Sequence, residues 1–445
     1  MIKHVMSAAS LMICLSFFFT ACKKDINDQS LTGVQSENAV AENSLLKRAH
    51  VTQASPLIIY TNADCYNVYN GGYGSAIATA PGQGSDAFYL MTDRGSNVNG
   101  PVSDSKTFIL PSFSPQIALF KIIGDSAVKQ SRDNLKRWAR KSSYRLPNPG
   151  GASSSGETAY DLNGNLLAAD PNGLDAEGLV AMKDGSFWVS DEYGPHIVHF
   201  NSTGVTLGRI SPFDNGSGGR QIPAVFALRR ANRGMEGLTL TKNGGYLVGM
   251  MQSPLDNPKS VARSTRTVRI LFFNLATGKT KQFLYQMESK DNVISDILAI
   301  GNKEFLVLER DGNFPLVGQF TSSFKKVYRI NVTGATDVSD STNSAKGALY
   351  SDKTIEELAD DLASVGIIPV RKFLALDIIA AAPDYAHDKA EGITLTDEGV
   401  LAVSNDDDFG IIDGASGGTY IPKYLPFYDP QQVVDRGEIY FLKLK

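Results

Sequence analysis

Cysteine is nearly absent: the 445-residue chain has only Cys14, Cys22 and Cys65. Cys14 and Cys22 fall in the leading segment, so Cys65 has no intramolecular partner. A disulfide framework and a Cys-based zinc site are both excluded. A basic excess is lacking too. Without residues 1–21 the chain loses Lys3 and no carboxylate, leaving 42 basic against 47 acidic side chains and a net charge of −5. With no basic stripe either, nucleic acid is excluded as a partner. The one notable apolar run, from about Leu11 to Phe19, is shorter than the about 20 residues a membrane-spanning helix needs. Familiar hydrolase signatures are missing as well. There is no HExxH and no Arg-His-Gly, "GKT" at 278–280 lacks the upstream glycine of a P-loop, and "NDDD" at 405–408 lacks EF-hand spacing. "GASGG" at 414–418 matches a nucleophile elbow at Ser416 only formally, because no strand–turn–helix context surrounds it.

What is present begins with "MIKHVMSAASLMICLSFFFTAC", a basic start, a short apolar run and a lipoprotein cleavage box. It predicts a signal peptide over 1–21 and lipidation of Cys22, with Lys23 favouring the outer membrane. Residues 22–55 are polar without sustained period and read as a flexible tether. Residues 56–445 read as one domain, large enough for a substantial core and expected to be a monomer.

That domain repeats. "DAEGLVAMKDGSFWVSDEYG" (175–194) returns as "GMEGLTLTKNGGYLVGMMQSP" (234–254) and "KAEGITLTDEGVLAVSNDDDFG" (389–410). Weaker copies stand at 295–312 and 75–95. Each reads as two short strands about an Asp/Asn/Gly turn, followed by third strands such as "HIVHF" and fourth strands such as "TLGRI". Four antiparallel strands repeated in this way predict an all-β fold, a β-propeller of five or six blades. A β-sandwich needs no internal repeat. Segments 126–143 and 352–366 are expected as helical loop insertions, and "PLIIYTN" (56–62) as the strand that completes the last blade.

In such a fold the first strand of each blade lines the axis, and a hairpin brings its two ends together. Glu177, Glu236 and Glu391, with Asp296 in a fourth unit, should therefore meet Asp93, Asp191, Glu192, Glu309 and Asp406 at one mouth. Converging carboxylates repel unless neutralised, and hard oxygen donors in excess suit Ca²⁺. Arg94, Arg233, Arg310, Lys389, His196 and His387 are interleaved with them. The mixture suits a small anionic ligand such as a phosphate ester. The competing account is that these residues form buried salt bridges and cap turns between blades. Trp188 and Tyr193 are expected to pack between blades.

The three strong repeats, together with "DRGSN" after the first hairpin, resemble the bacterial phytase-like family with esterase-like activity, over about residues 57 to 445. The resemblance implies a propeller with functional Glu and Asp and a phosphoesterase role. The unit at 295–312 departs from it, with Asp296-Ile297 where Glu-Gly would stand. The resulting expectation is a metal-dependent hydrolase with Glu177, Glu236, Glu391, Asp191 and His196 as catalytic residues. Asp93, Glu177, Asp191, Glu192, Glu236, Glu309, Glu391 and Asp406 are the candidate metal ligands. Arg94, Arg233, Arg310 and Lys389 would bind substrate. A metal-activated water would attack phosphorus, with Arg94, Arg310 or His196 neutralising the leaving oxyanion. A lactonase-like propeller and a non-catalytic binding lipoprotein remain the alternatives.

Overall fold

The computed structural model describes residues 45–52, 57–130, 157–168, 173–213, 222–315, 323–426 and 433–444; Cys22, the signal segment and the tether up to residue 44 lie outside them. Each repeat folds as a four-stranded antiparallel sheet. Blade one is Ala76–Thr79, Ala87–Met91, Ile117–Ile123 and Ser126–Lys129. Blade two is Ala176–Ala181, Phe187–Asp191, Ile197–Phe200 and Thr206–Ile210, and blade three is Met235–Leu240, Tyr246–Met251, Thr267–Asn274 and Thr280–Gln286. Val293–Ala299, Glu304–Arg310, Lys325–Asn331 and Arg371–Asp377 make blade four. Blade five runs Ala390–Leu395, Val400–Asn405 and Glu438–Lys443. The five innermost strands touch one another in cyclic order, blade five returning to blade one. The fold is a five-bladed propeller.

The strand that completes blade five is Leu45–Val51, antiparallel to Glu438–Lys443. Two expectations are corrected here. Residues 45–51 are not tether, and Ile58–Thr61 forms a separate hairpin with Asn67–Tyr69. The reason lies in "LLKRAHV": Ala49 and Val51 enter the core, while His50 reaches Glu438 at 2.8 Å and Arg48 reaches Asp384 at 3.1 Å. The same strand pairs in parallel with the outer strand of blade one, His50 beside Ser126 and Val51 beside Ala127. It thus joins the last blade to the first.

Helical insertions are absent among the described residues. Ser126–Lys129 is strand, and the rest of 126–143 beyond Gln130 lies outside the described residues. Segment 352–366 holds two single 3₁₀ turns, Glu356–Leu358 and Leu362–Val365. Their apolar residues are too few for a helix face and serve to cover Leu284 and Val338. Between blades the packing is aromatic and edge-to-face: Tyr89 on Phe187, and Phe272 on Phe305, with centroids 5.0 and 5.5 Å apart. Such pairs add to the area they bury.

The Glu-Gly of the repeat has a structural cause. In blades two, three and five the pairing register slips by one residue at Glu177, Glu236 and Glu391. A bulge of this kind re-aims a side chain. The glycine that follows has no room for a Cβ, which at Gly178 would lie 2.5 Å from the Leu238 nitrogen and at Gly237 2.6 Å from the Ile297 nitrogen. Each glycine thus admits the next blade's backbone. In blade four the bulge falls on Ser295, so Ser295 holds the glutamate position and Asp296 the glycine position. The expected alignment was one residue out.

Candidate functional site

The axial mouth encloses a cavity of about 450 Å³. Two residue sets supply its charge. The first is the bulge set, Glu177, Glu236 and Glu391. The second stands at the end of the second strand of each blade: Asp93, Glu192, the uncharged Gln252, Arg310 and Asp406, one per blade. The residue before four of these pairs with the inner strand and faces the other way, as strand alternation requires. Those residues are Asp191, Met251, Glu309 and Asn405, opposite Ala176, Met235, Ile294 and Ala390.

Ten of the thirteen expected site residues line the cavity: Asp93, Arg94, Glu177, Glu192, Arg233, Glu236, Arg310, Lys389, Glu391 and Asp406. Asp191, His196 and Glu309 do not. Asp191 Oδ1 accepts the Asp175 and Tyr193 backbone N–H groups, both at 3.1 Å, and so holds Asp175 in place from behind. His196 is fully buried, its Nδ1 2.7 Å from an Arg209 nitrogen. Burial and the charges of Arg209 and Arg229 hold it well below the usual histidine range, so it is a neutral acceptor. Glu309 accepts from Tyr285, the Glu288 backbone and Asn292, each at 2.7 Å, and from Lys372 at 3.0 Å. It is an anchor between blades three and four, not a metal ligand.

Several cavity residues escaped the sequence reading. Asp175 and Asp388 stand two and three positions before a motif glutamate, so comparing the residues just upstream of each repeat would have flagged them. Lys106 and Asp413 come from hairpins inserted between repeat strands, where no repeat signal reaches.

The cavity holds ten carboxylates against five cationic side chains. Three of the cations are in ion pairs, and Lys106 is bonded only to a neutral amide. Arg94 meets Glu157 at 3.0 Å and Asp175 at 3.4 Å, and Arg310 pairs with Glu391. Lys389 pairs with Asp406 and Asp408, and Lys106 donates to Asn99 at 2.9 Å. The Arg233 guanidinium, a few residues before Glu236, makes no ion pair among the described residues. Glu192 Oε1, Glu236 Oε2 and Glu391 Oε2 are buried without a hydrogen-bond partner.

This imbalance sets the electrostatics. Burial, with Asp175 adding to it, pushes Glu192 up to about 8. Burial and then Glu192 hold Glu236 well above the usual carboxylate range, and burial and then Glu236 do the same to Glu177. Asp406 rises to about 7 through burial and Asp408. Asp175, Glu177 and Glu192 each bring one oxygen within 4.8 Å of the others. With an unpartnered oxygen on Glu192, this cluster fits a hard cation and could hold a metal ion.

The fold and the mouth together define a five-bladed propeller with a charge-dense axial cavity. The chain belongs to the phytase-like family described as "esterase-like activity of phytase", whose model matches residues 70–409. It is similar to an uncharacterized secreted protein of Arthroderma benhamiae, 28% identical over 389 residues, 69% of this chain and 73% of that one. Among solved structures, an α-L-arabinofuranosidase from Podospora anserina in complex with cellotriose aligns at a TM-score of 0.38 and 7% identity, over 91% of this chain and 99% of that one. A Swd1 β-propeller domain from Myceliophteria thermophila aligns at 0.31 and 12% identity, over 78% and 82%. Among the described residues no helix is long and apolar enough to cross a membrane.

Proposed function

We propose that the protein is a Ca²⁺-dependent phosphate-ester hydrolase, held at the outer membrane through a lipid on Cys22. The observation that carries the reading is one cavity lined by both a carboxylate trio and a guanidinium that makes no ion pair among the described residues. Asp175, Glu177 and Glu192 would hold the ion, with Arg233 lining the same cavity. When bound, Ca²⁺ polarises a phosphoryl oxygen. The other steps belong to the chain's own residues. Arg233, which makes no ion pair among the described residues, binds the remaining phosphoryl oxygens. Arg94 is stacked over Tyr193 at 4.6 Å and fixes Asp175. Water attacks phosphorus as the ester P–O bond breaks, and Glu236, whose proton affinity burial raises, gives its proton to the leaving oxygen. The secreted description of the Arthroderma protein supports an extracytoplasmic site.

The test is hydrolysis of p-nitrophenyl phosphate with Ca²⁺ or with chelator, by the parent and by Glu177→Gln and Glu236→Gln. Activity should need the metal and fall about 10²-fold or more in each variant. Glu398→Gln, in an exposed hairpin turn, should be unaffected. Lactone hydrolysis without phosphatase activity would favour a lactonase, and ligand binding without turnover a binding lipoprotein. A Cys22→Ala protein that remains acylated and membrane-bound would refute the anchor.

A further inference from the structure

The three carboxylates of the candidate cation site come from two stretches of blade two. Asp175 and Glu177 flank Ala176, the first residue of the inner strand, and Glu192 follows Asp191, the last residue of the second strand. Between these ends and the rest of the blade the ladder is interrupted. Ala176 pairs with Asp191, but pairing resumes only at Leu179 with Val189. One backbone bond crosses at the ends themselves, from the Glu192 N–H to the Asp175 carbonyl at 3.0 Å. A bulge disrupts the local ladder, so strand pairing alone does not fix the spacing of Asp175 and Glu177 from Glu192.

The Asp191 side chain supplies what the ladder lacks. Its Oδ1 accepts both the Asp175 N–H and the Tyr193 N–H at 3.1 Å. One oxygen thereby ties the amide of the first acid in the trio to the amide just after the third. Asp191 is itself held rigidly. It is fully buried, its N–H donates to the His196 carbonyl at 2.9 Å, and its Oδ2 lies 3.4 Å from His196 Nδ1. Gly194 makes this closeness possible, because a Cβ there would lie 2.4 Å from both of those atoms. Neither Asp191 nor His196 lines the cavity.

Blade four supplies a contrast. Glu309 holds the corresponding place, opposite Ile294. It is as deeply buried, but its partners are Tyr285, Asn292 and the Glu288 backbone, none of them next to the trio in the chain.

We propose that Asp191 is a positioning residue for the cation site: its Oδ1 sets the separation of Asp175 and Glu177 from Glu192 without touching the ion or the ester. The proposal rests on reading the trio as a Ca²⁺ site and is independent of which bond the enzyme cleaves. Cation affinity, not only the stability of blade two, then depends on Asp191.

The test is isothermal titration of Ca²⁺ into the metal-free parent, Asp191→Ala, Asp191→Asn and Glu309→Ala, with melting curves in chelator to show that each is folded. Asp191→Ala deletes the acceptor and should weaken binding about 10- to 100-fold, the range for groups that orient metal ligands. Asp191→Asn keeps an acceptor oxygen and should bind nearly as the parent does. Glu309→Ala should lower the melting temperature and leave affinity unchanged. Parent-like affinity in Asp191→Ala overturns the proposal. So does an equal loss in Asp191→Asn, which would mark a charge effect, or in Glu309→Ala, which would mark general destabilisation. Should Asp191→Ala not fold, Asp191→Glu decides, since it keeps the charge and moves the oxygens by one methylene: weakened binding sustains the proposal and parent-like binding overturns it. A folded parent that binds no Ca²⁺ overturns the trio as a calcium site and the role of Asp191 together. A parent that binds Ca²⁺ but cleaves no phosphate ester refutes the hydrolase reading alone.

Discussion

Two clusters of buried charge lie on opposite arcs of the same ring, built from the same residue types. Around blades two and three, Glu177, Glu192 and Glu236 crowd together, with one oxygen each of Glu192 and Glu236 left unpartnered and all three proton affinities raised by burial. In blade five a second set of buried charges is held in ion pairs. Lys423 meets Asp408 at 2.7 Å, Asp388 at 2.8 Å and Asp435 at 3.2 Å. His387 meets Asp435 at 2.7 Å and Glu438 at 3.1 Å. Acid content alone therefore does not mark a site. What distinguishes the first cluster is that it is left incomplete, and a ligand can complete it. The second is an ion-paired network whose Asp388 and Asp408 also line the cavity, and it reaches the ring-closing strand through His50 on Glu438.

The sharpest way to break this contrast is at Lys423, which is 1% exposed. Lys423→Met fits the space but strands three carboxylates, and removing one partner of a buried pair costs about 3–5 kcal/mol. Denaturant unfolding should show that loss. A loss below about 1 kcal/mol would mean that the blade-five network is no more structural than the cavity, since exposed pairs already give that much.

The sequence carried the propeller because its signals are local: alternation, turn glycines and recurrence. It carried the cavity only as far as strand parity can be guessed. Asp191 and Glu192 are adjacent, as are Glu309 and Arg310, and one member of each pair must face away. Which one depends on a bulge that only cross-strand pairing reveals. The same uncertainty misplaced Asp296 by one position, because "SDI" offers two plausible alignments. The closing strand 45–51 was hidden because seven alternating residues at the end of a polar stretch say little until their partner strand is known. Asp413 and Lys106 belong to no repeat at all.

A second test uses pH and touches only the closed network. Burial disfavours the charge on His387, but Asp435 and Glu438 outweigh it and hold its pKa up to about 9. Both ring nitrogens then donate to carboxylates. An unfolded histidine titrates near 6.5. The folded value is the higher one, so the stabilisation is fully present below about pH 6.5 and is lost as pH rises through about 9. Its size is up to roughly 3 kcal/mol. His387→Gln should be flat across that window where the parent declines. Parallel pH profiles would show that His387 is neutral in the fold.

The last test concerns the incomplete cluster and turns on a reversal of sign. Glu192 has its folded pKa pushed up to about 8 by burial and Asp175, above an unfolded value in the ordinary carboxylate range. The folded state therefore holds the extra proton, and stability falls as pH rises from the ordinary glutamate range toward 8. In chelator at neutral pH the Glu192 carboxyl should be a burden, so Glu192→Gln should be more stable than the parent by on the order of 1 kcal/mol. Excess Ca²⁺ inverts the ranking if the trio binds it. A ligand at 100 times its dissociation constant adds about 2.7 kcal/mol to the parent, and less to a variant that has lost one of three charged donors. Melting curves of both proteins in chelator and in Ca²⁺ give the four values needed. A Glu192→Gln protein less stable than the parent in chelator, with no response to Ca²⁺ in either, would place Glu192 in a completed salt-bridge network like that of blade five.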